Sequence, residues 1–308
     1  MKIWIAGHRG MVGSATRRAL IAAGHENIVV RGHEELELCD QAAVRRFLDS
    51  ERPDYVFMAA GRVGGILANS MFPAAFLSDN LQMAVNIILQ SAACGVRGLL
   101  YLGSSCMYPR DCAQPMREQD LFSGAFEPTN AGYGLAKATA ARLVEAIGSN
   151  YENGAGYCCA VPCNLYGPGD NYDPARSHVL PALIRKASEA LETGARSVSV
   201  WGSGVPLREF MHVDDLAKAC VLMMEQRAAG IWNVGSGCEI SIARLALECC
   251  WAAGYTGSIE FDRSKPDGMP RKLMDSSRIR SLGWEPRIAL NEGLRRAVVD
   301  FAATRAIA

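Results

Sequence analysis

The sequence carries no excess of charge of either sign: 32 Lys and Arg balance 32 Asp and Glu. No overall positive field therefore draws the chain to nucleic acid or to an anionic membrane, and any phosphate-binding site has to be local. A run of about 18 uncharged apolar residues is absent, which excludes a membrane-spanning helix. The start, MKIWIAGHRG, reaches glycine too early for a signal-peptide core, so a cytoplasmic location is expected. Cysteine is plentiful, at 11 residues, but no CxxC spacing occurs and the count is odd. Even Cys158, Cys159 and Cys163 lie in an apolar segment, so neither a disulfide framework nor a metal site is indicated, and most thiols are expected as small buried hydrophobes. There is no internal repeat and no low-complexity tract. What is present, 308 residues of which 49% are hydrophobic, suffices for one large or two modest domains acting on a small-molecule partner.

Strand-like and helix-like segments alternate. Lys2 to Ala6 is a short apolar strand, Gly7 to Gly13 a glycine loop and Ser14 to Ala23 a helix ended by Gly24. Strands are expected at Asn27 to Val30, Asp54 to Ala59, Leu99 to Leu102 and Tyr157 to Val161, with helices at Gln41 to Asp49, Pro73 to Cys94 and about Gly132 to Ile147. Such repeated β-α-β order implies an α/β fold with a parallel sheet covered by helices and ligands at the carboxyl ends of the strands. At NLYGPGDNYDPARSH the texture turns to Gly, Pro, Asp and Asn, the mark of a loop or domain boundary. Beyond it, helices (Val179 to Leu191, Asp214 to Met224, Ser241 to Ala252) mix with short strands near Val198 to Trp201 and Ile231 to Val234. A smaller domain over the ligand edge of the sheet is the natural architecture.

Gly7-His8-Arg9-Gly10-Met11-Val12-Gly13 places glycines at three-residue spacing between a strand and a helix. That context suits a dinucleotide: the first glycine makes the tight turn, the second admits the pyrophosphate and the third packs helix on strand. After the second strand, NAD users carry an acidic residue for the ribose 2′-hydroxyl, whereas NADP users carry arginine near the extra phosphate. Here Arg31 follows Val30 and Arg9 lies in the loop, which favours NADP; Glu34 and Glu35 close behind keep NAD open.

In NAGYGLAKATAARL, Tyr133 and Lys137 are four residues apart and share a helix face, with Thr129 or Asn130 available to cap that helix. A nearby ammonium favours the phenolate and brings the tyrosine toward the working range of an acid/base. With the glycine loop, the strand end at GSSCMYP and the later NLYGP, these residues resemble the extended short-chain dehydrogenase/reductase superfamily along most of the chain. The resemblance implies that Tyr133 is the acid/base, Lys137 its partner and Ser104 the group that binds the substrate oxygen.

Nucleotide-sugar dehydratases of that superfamily carry Thr-Asp-Glu-x-Tyr at the strand end. Ser104-Ser105-Cys106-Met107-Tyr108 has no carboxylate, so dehydration is disfavoured. The strings AGHRGMVGSA, GSSCMYP, EPTNAGYGLAK, CNLYGPGDNY, SHVLPAL, VWGSGVPLREFMHVDD and SKPDGMPRKLMD together resemble the GDP-L-fucose synthase family. That resemblance implies a Rossmann-type doubly wound sheet over residues 1–165 plus about 209–233, with a smaller mixed substrate domain over about 166–208 plus 234–308, in a homodimer. It implies 3,5-epimerisation and NADPH-dependent 4-reduction of a GDP-4-keto-6-deoxy sugar, with Cys106 and His178 as base and acid. A ketone at C4 acidifies the hydrogens at C3 and C5, and a thiolate and an imidazole titrate in a useful range for moving them. Without the resemblance, Cys106 could be one more buried thiol and His178 a surface histidine.

By the same resemblance the cofactor is held by Gly7, His8, Arg9, Gly10, Met11, Val12, Gly13 and Arg31, by Leu102 and Gly103 at the strand end, by Tyr133 and Lys137, and by Pro162, Asn164, Leu165 and His178. The GDP-sugar falls to Asn164, Lys186, Trp201, Arg208 and Asp275. Trp201 either lines the ligand or packs in the core, and Arg208 either grips a diphosphate or pairs with Asp214 or Asp215. Lys186 puts a point charge where the family commonly has arginine, and His33 stands where some members have a second arginine for the 2′-phosphate. The rival readings are an enzyme acting on another GDP-deoxyhexose, as in a colitose pathway, and a non-catalytic NADP-binding sensor or scaffold.

Overall fold

A computed structural model describes residues 1–150, 156–174, 176–265 and 267–307. Ala175 and Pro266, inside two of the quoted strings, lie outside that set. In chain order the first part is β1 (Ile3–Ala6), α1 (Met11–Ala22), β2 (Ile28–Val29), α2 (Gln41–Glu51), β3 (Tyr55–Met58), α3 (Ile66–Met71), α4 (Pro73–Ala93), β4 (Gly98–Leu102), α5 (Ala131–Asn150), β5 (Gly156–Pro162) and β6 (Asn164–Tyr166). The second part is α6 (Val179–Thr193), β7 (Ser197–Trp201), β8 (Leu207–His212), α7 (Val213–Glu225), β9 (Gly230–Val234), β10 (Glu239–Ser241), α8 (Ile242–Ala253), β11 (Ser258–Asp262), β12 (Arg271–Lys272), α9 (Ser277–Arg280) and α10 (Leu290–Ile307).

Apolar, β-branched and aromatic residues in β1, β3, β4 and β5 are buried throughout, as strands covered on both faces require. They form a parallel six-stranded sheet in the order β2-β1-β3-β4-β5-β9. The chain steps outward from β1 to β2 and then returns to β3 on the other side, so a crevice opens above the carboxyl end of β1 where the glycine loop lies. A second sheet joins β8 to β10, β12 and β6, and β11 pairs with β7. Its side of the molecule has a separate apolar cluster that includes Tyr166, Leu183, Ile184, Leu245, Leu294 and Phe301. The expected α/β architecture is therefore present, with the mixed sheets built mainly from the C-terminal half.

Several expectations need correction. The first helix starts at Met11 rather than Ser14, so Gly13 is in its first turn. Packing overrides glycine's poor helix propensity there, because a Cβ on Gly13 would fall onto the Gly7 carbonyl. NLY is strand β6, paired with β8, and the loop begins only after it. Among the described residues no helix is long and apolar enough to cross a membrane.

Candidate active site

Gly7 has φ +86, and a Cβ there would lie 2.6 Å from the backbone nitrogen of Ala60. Glycine is thus demanded by both backbone conformation and space. A Cβ on Gly10 would meet only the Gly7 carbonyl oxygen, at 3.5 Å, so the surface in front of the loop is open. Gly10 is also the residue before α1; no side chain caps the helix and no acidic residue sits in its first turn. Free N–H groups and the positive end of the helix dipole therefore face the opening, the arrangement an anion needs. His8 Nδ1 is buried without a partner, and Met11 and Val12 are half-buried behind it. These observations fit a dinucleotide pyrophosphate.

The charges on the adenosine side are already engaged. Arg9 pairs with Glu34 at 2.8 Å, both largely exposed. The Arg31 guanidinium pairs with Glu51 at 2.5 Å and lies over Phe47. Glu35 accepts the Gly32 N–H at 2.6 Å, and His33 stands in solvent 3.5 Å from Glu37. The arginine pairs are at or near the surface, where solvent screens them and a phosphate can displace a carboxylate.

Strand β4 delivers Leu102 and Gly103 to the sheet edge, followed by a 3-10 turn at Ser105–Met107. A Cβ on Gly103 would come within 2.9 Å of both the Cys159 and the Met107 sulfur. Ser104 Oγ accepts the Cys106 N–H at 3.2 Å, which sets the start of the turn. Its far end is pinned by Tyr108, whose hydroxyl donates to Asn233 Oδ1 at 2.6 Å in the core. Two of the residues in GSSCMYP are thus anchors, and the anchoring leaves Cys106 half-buried rather than in the interior.

Helix α5 brings Tyr133 and Lys137 to the same place. It can approach because a Cβ on Gly134 would be 2.5 Å from the Cys106 carbonyl oxygen. Lys137 is buried, donates to the Leu102 carbonyl at 2.8 Å and lies 5.9 Å from the Tyr133 ring centre. Burial lowers its pKa to about 8. The phenol of Tyr133 is pushed up instead: burial dominates, charge on Cys106 adds to it, and only the hydrogen bond with Ser104 opposes. The expected lowering by lysine is therefore not what this chain shows, because the ammonium is spent on a carbonyl and not on the phenolic oxygen. The expected cap is absent as well. Thr129 donates to Glu127 and Asn130 donates to Cys106 Sγ, at 3.3 Å each.

Cys106 has a second donor. Lys272 Nζ, from β12 and 166 positions away, lies 3.6 Å from its sulfur. His178, exposed, stands just before α6. Its pKa is lowered, first by the surrounding protein and then by the charge of Lys272. One ammonium therefore acts on both the thiol and the imidazole. A cleft of about 250 Å³ between α3 and the start of α5 is walled by Asn69, Ser70, Pro73, Asn130 and Tyr133.

Pro162 ends β5 of the six-stranded sheet in the core, and Leu165 of β6 is half-buried. Asn164 Nδ2 donates to the Glu209 carbonyl at 2.7 Å. Lys186 donates to the Ser199 carbonyl of β7 at 2.7 Å. Trp201 is 57% exposed, which excludes the core reading, and Lys265 lies 5.5 Å from its ring centre. Arg208 donates to the carbonyls of Leu207 and Asp267 at 2.8 and 3.4 Å, not to Asp214 or Asp215. Its guanidinium stays unpaired with any carboxylate among the described residues, as a diphosphate ligand requires. Asp275 is engaged by the Ser277 N–H at 3.0 Å and by Arg117 at 3.4 Å, which hold its carboxyl below the usual range.

The model of the NAD dependent epimerase/dehydratase family matches residues 3–235. The chain belongs to that family. Within it, the chain is 50% identical over 296 residues to a probable GDP-L-fucose synthase of Oryza sativa subsp. japonica, covering 95% of this chain and 89% of that one. It is 46% identical to the GDP-L-fucose synthase of Escherichia coli strain K12, covering 95% and 94%. A GDP-L-colitose synthase of Yersinia pseudotuberculosis is more distant, at 37% identity with 98% of each covered. Among solved structures, a GDP-L-fucose synthetase from Naegleria fowleri bound to NADP superposes with TM-score 0.88 at 26% identity, covering 99% of this chain and 95% of that one.

For a member of the epimerase/dehydratase family, the site holds three residues that sequence reasoning did not single out: Asn130, Lys272 and Glu209. Asn130 was considered only as a cap. Lys272 was inside SKPDGMPRKLMD, but nothing local signals a contact with Cys106. Glu209 is fully buried and accepts the Gly237 and Met274 N–H groups at 2.6 and 2.9 Å, so it ties β8 to β12. A glutamate beside Arg208 in a strand with an otherwise apolar end was the available signal, since such a carboxylate is buried only when it is paired or hydrogen-bonded.

Proposed function

We propose that the chain converts GDP-4-dehydro-6-deoxy-D-mannose to GDP-L-fucose, inverting C3 and C5 and reducing C4 with NADPH. The observation that carries this reading is the sulfur of Cys106, held at the end of β4 by Asn130 and Lys272 beside Ser104 and Tyr133. A pure reductase has no need of a base there. The relatives at 50% and 46% identity support the same substrate over the colitose-type alternative at 37%.

The C4 ketone withdraws electrons from the C3–H and C5–H bonds. Cys106 as thiolate takes the proton, the bonding pair moves onto the carbonyl oxygen, and the hydroxyls of Ser104 and Tyr133 stabilise that enolate. His178 returns a proton from the other side. An exposed imidazole can be reprotonated from solvent between the two inversions. When bound, the nicotinamide cofactor supplies the hydride for C4; Tyr133 gives its phenolic proton to the C4 oxygen, and Lys137 holds the ribose.

NADPH rather than NADH is supported by Arg9 and Arg31, and by the engagement of Glu34 with Arg9 and of Glu35 with the Gly32 N–H. Arg208, Lys186 and Trp201 suit the diphosphate and base of a GDP-sugar, carried by the second sheet side. The reading assigns a dinucleotide domain to residues 1–165 plus about 209–233 and a substrate domain to about 166–208 plus 234–308, with β6 and β8 of the second sheet crossing those bounds. A homodimer is inferred on α4 and α5, where Leu89 and Leu135 are exposed. NMR of the product after incubation with the GDP-ketosugar and NADPH tests the reading: GDP-L-fucose is expected, and no loss of NADPH rejects it.

A further inference from the structure

We infer that Lys272 is a positioning residue for Cys106: its ammonium, together with the Asn130 amide, converges on the sulfur and fixes where the base sits beside Ser104 and Tyr133. This rests on the function proposed above. Two N–H donors, Asn130 Nδ2 at 3.3 Å and Lys272 Nζ at 3.6 Å, converge on one sulfur. A neutral thiol is a weak acceptor and has a hydrogen of its own to place, whereas a thiolate accepts from both. Lys272 is half-buried and makes no ion pair among the described residues. An ammonium withdrawn from water needs a counter-charge, and the sulfur is its hydrogen-bond partner.

The placement is built rather than incidental. Lys272 and Arg208 are register partners in the β12–β8 pair. The next residue, Leu273, donates to Gln114 Oε1 and accepts the Met116 N–H, both at 2.8 Å. Asp275 N–H donates to the Met116 carbonyl at 2.8 Å, and Glu209 fixes Met274 from the other side. The segment that follows the Cys106 turn is therefore stitched to the strand that carries Lys272, so sulfur and ammonium meet without an entropy cost at the moment of reaction. In the step itself the substrate C–H bond breaks, an S–H bond forms and the electron pair goes to the carbonyl oxygen.

The test is the rate at which iodoacetamide alkylates Cys106 in the full chain at one neutral pH, followed by peptide mass spectrometry. Lys272→Met is expected to slow Cys106 about ten-fold or more, the order expected for loss of an adjacent charge. Alkylation of the exposed Cys238 stays unchanged as the control for folding, and Lys272→Arg restores most of the rate. With substrate, Lys272→Met lowers kcat for solvent-deuterium uptake while KM moves less than about two-fold. Unchanged alkylation of Cys106, or a raised KM with kcat kept, overturns the inference and makes Lys272 a ligand of the diphosphate. A chain that alkylates as expected but ignores the GDP-ketosugar would instead overturn the proposed function and leave the Lys272–Cys106 pair standing.

Discussion

A phenol set edge-on to Phe76 at 6.4 Å and hydrogen-bonded to Ser104 keeps its proton at neutral pH. That suits Tyr133 to the reductive step, in which it is a donor. Tyr133→Phe is expected to bind NADPH with near-normal affinity, measured by cofactor fluorescence, and to reduce the ketosugar about 100-fold more slowly or worse; turnover at the wild-type rate would remove Tyr133 from the chemistry. Ser104, Cys106, Tyr133 and Lys137 were legible in the sequence because each stands at a fixed local offset on one strand end or one helix face. Asn130 and Lys272 were not: the first competes between a cap and a sulfur, and the second reaches Cys106 only through strand pairing across 166 positions.

The loop between β6 and α6 carries a carboxyl that is only half satisfied: Asp170 Oδ1 accepts the Asn171 N–H at 2.7 Å. Asp170 Oδ2 is buried without a partner, and Asp300 of α10 stands nearby, accepting the Gly169 N–H and the Tyr172 hydroxyl at 3.3 and 3.2 Å. Burial, with Asp300 adding, raises the Asp170 pKa to about 7. The folded state then binds a proton that the unfolded chain has lost, so this group's contribution is full below a pH of about 4 and disappears as pH rises through about 7. Asp170→Asn is expected to flatten the fall in Tm across that window, with the largest gain above neutrality; parallel Tm–pH curves for the two chains would refute it. Helices and sheet strands in the first half were readable from periodicity because long segments average out local ambiguity. Strands β8, β10, β11 and β12 were not, since they lack the fully buried apolar run of β1, β3 and β4 and are decided by pairing with distant partners rather than by propensity.

Over the whole molecule the charges cancel, yet single cations stand at separate candidate positions: Arg9 in the glycine loop, Lys272 by the sulfur, Lys265 over Trp201, and Arg208 without a carboxylate partner among the described residues. A chain of neutral net charge can still bind a small anionic substrate through such local cations. Light scattering is expected to give twice the 33.2 kDa protomer mass, and a monomer at all concentrations would reject the pairing through α4 and α5. The central claim, that one cleft both inverts and reduces, is tested most directly by running the reaction with GDP-4-dehydro-6-deoxy-D-mannose and NADPH in deuterium oxide and reading the product by NMR. The account predicts GDP-L-fucose with deuterium at C3 and C5 and protium at C4, and loss of both labels in Cys106→Ser. A wild-type product with protium at C3 and C5, or full labelling in Cys106→Ser, would contradict it.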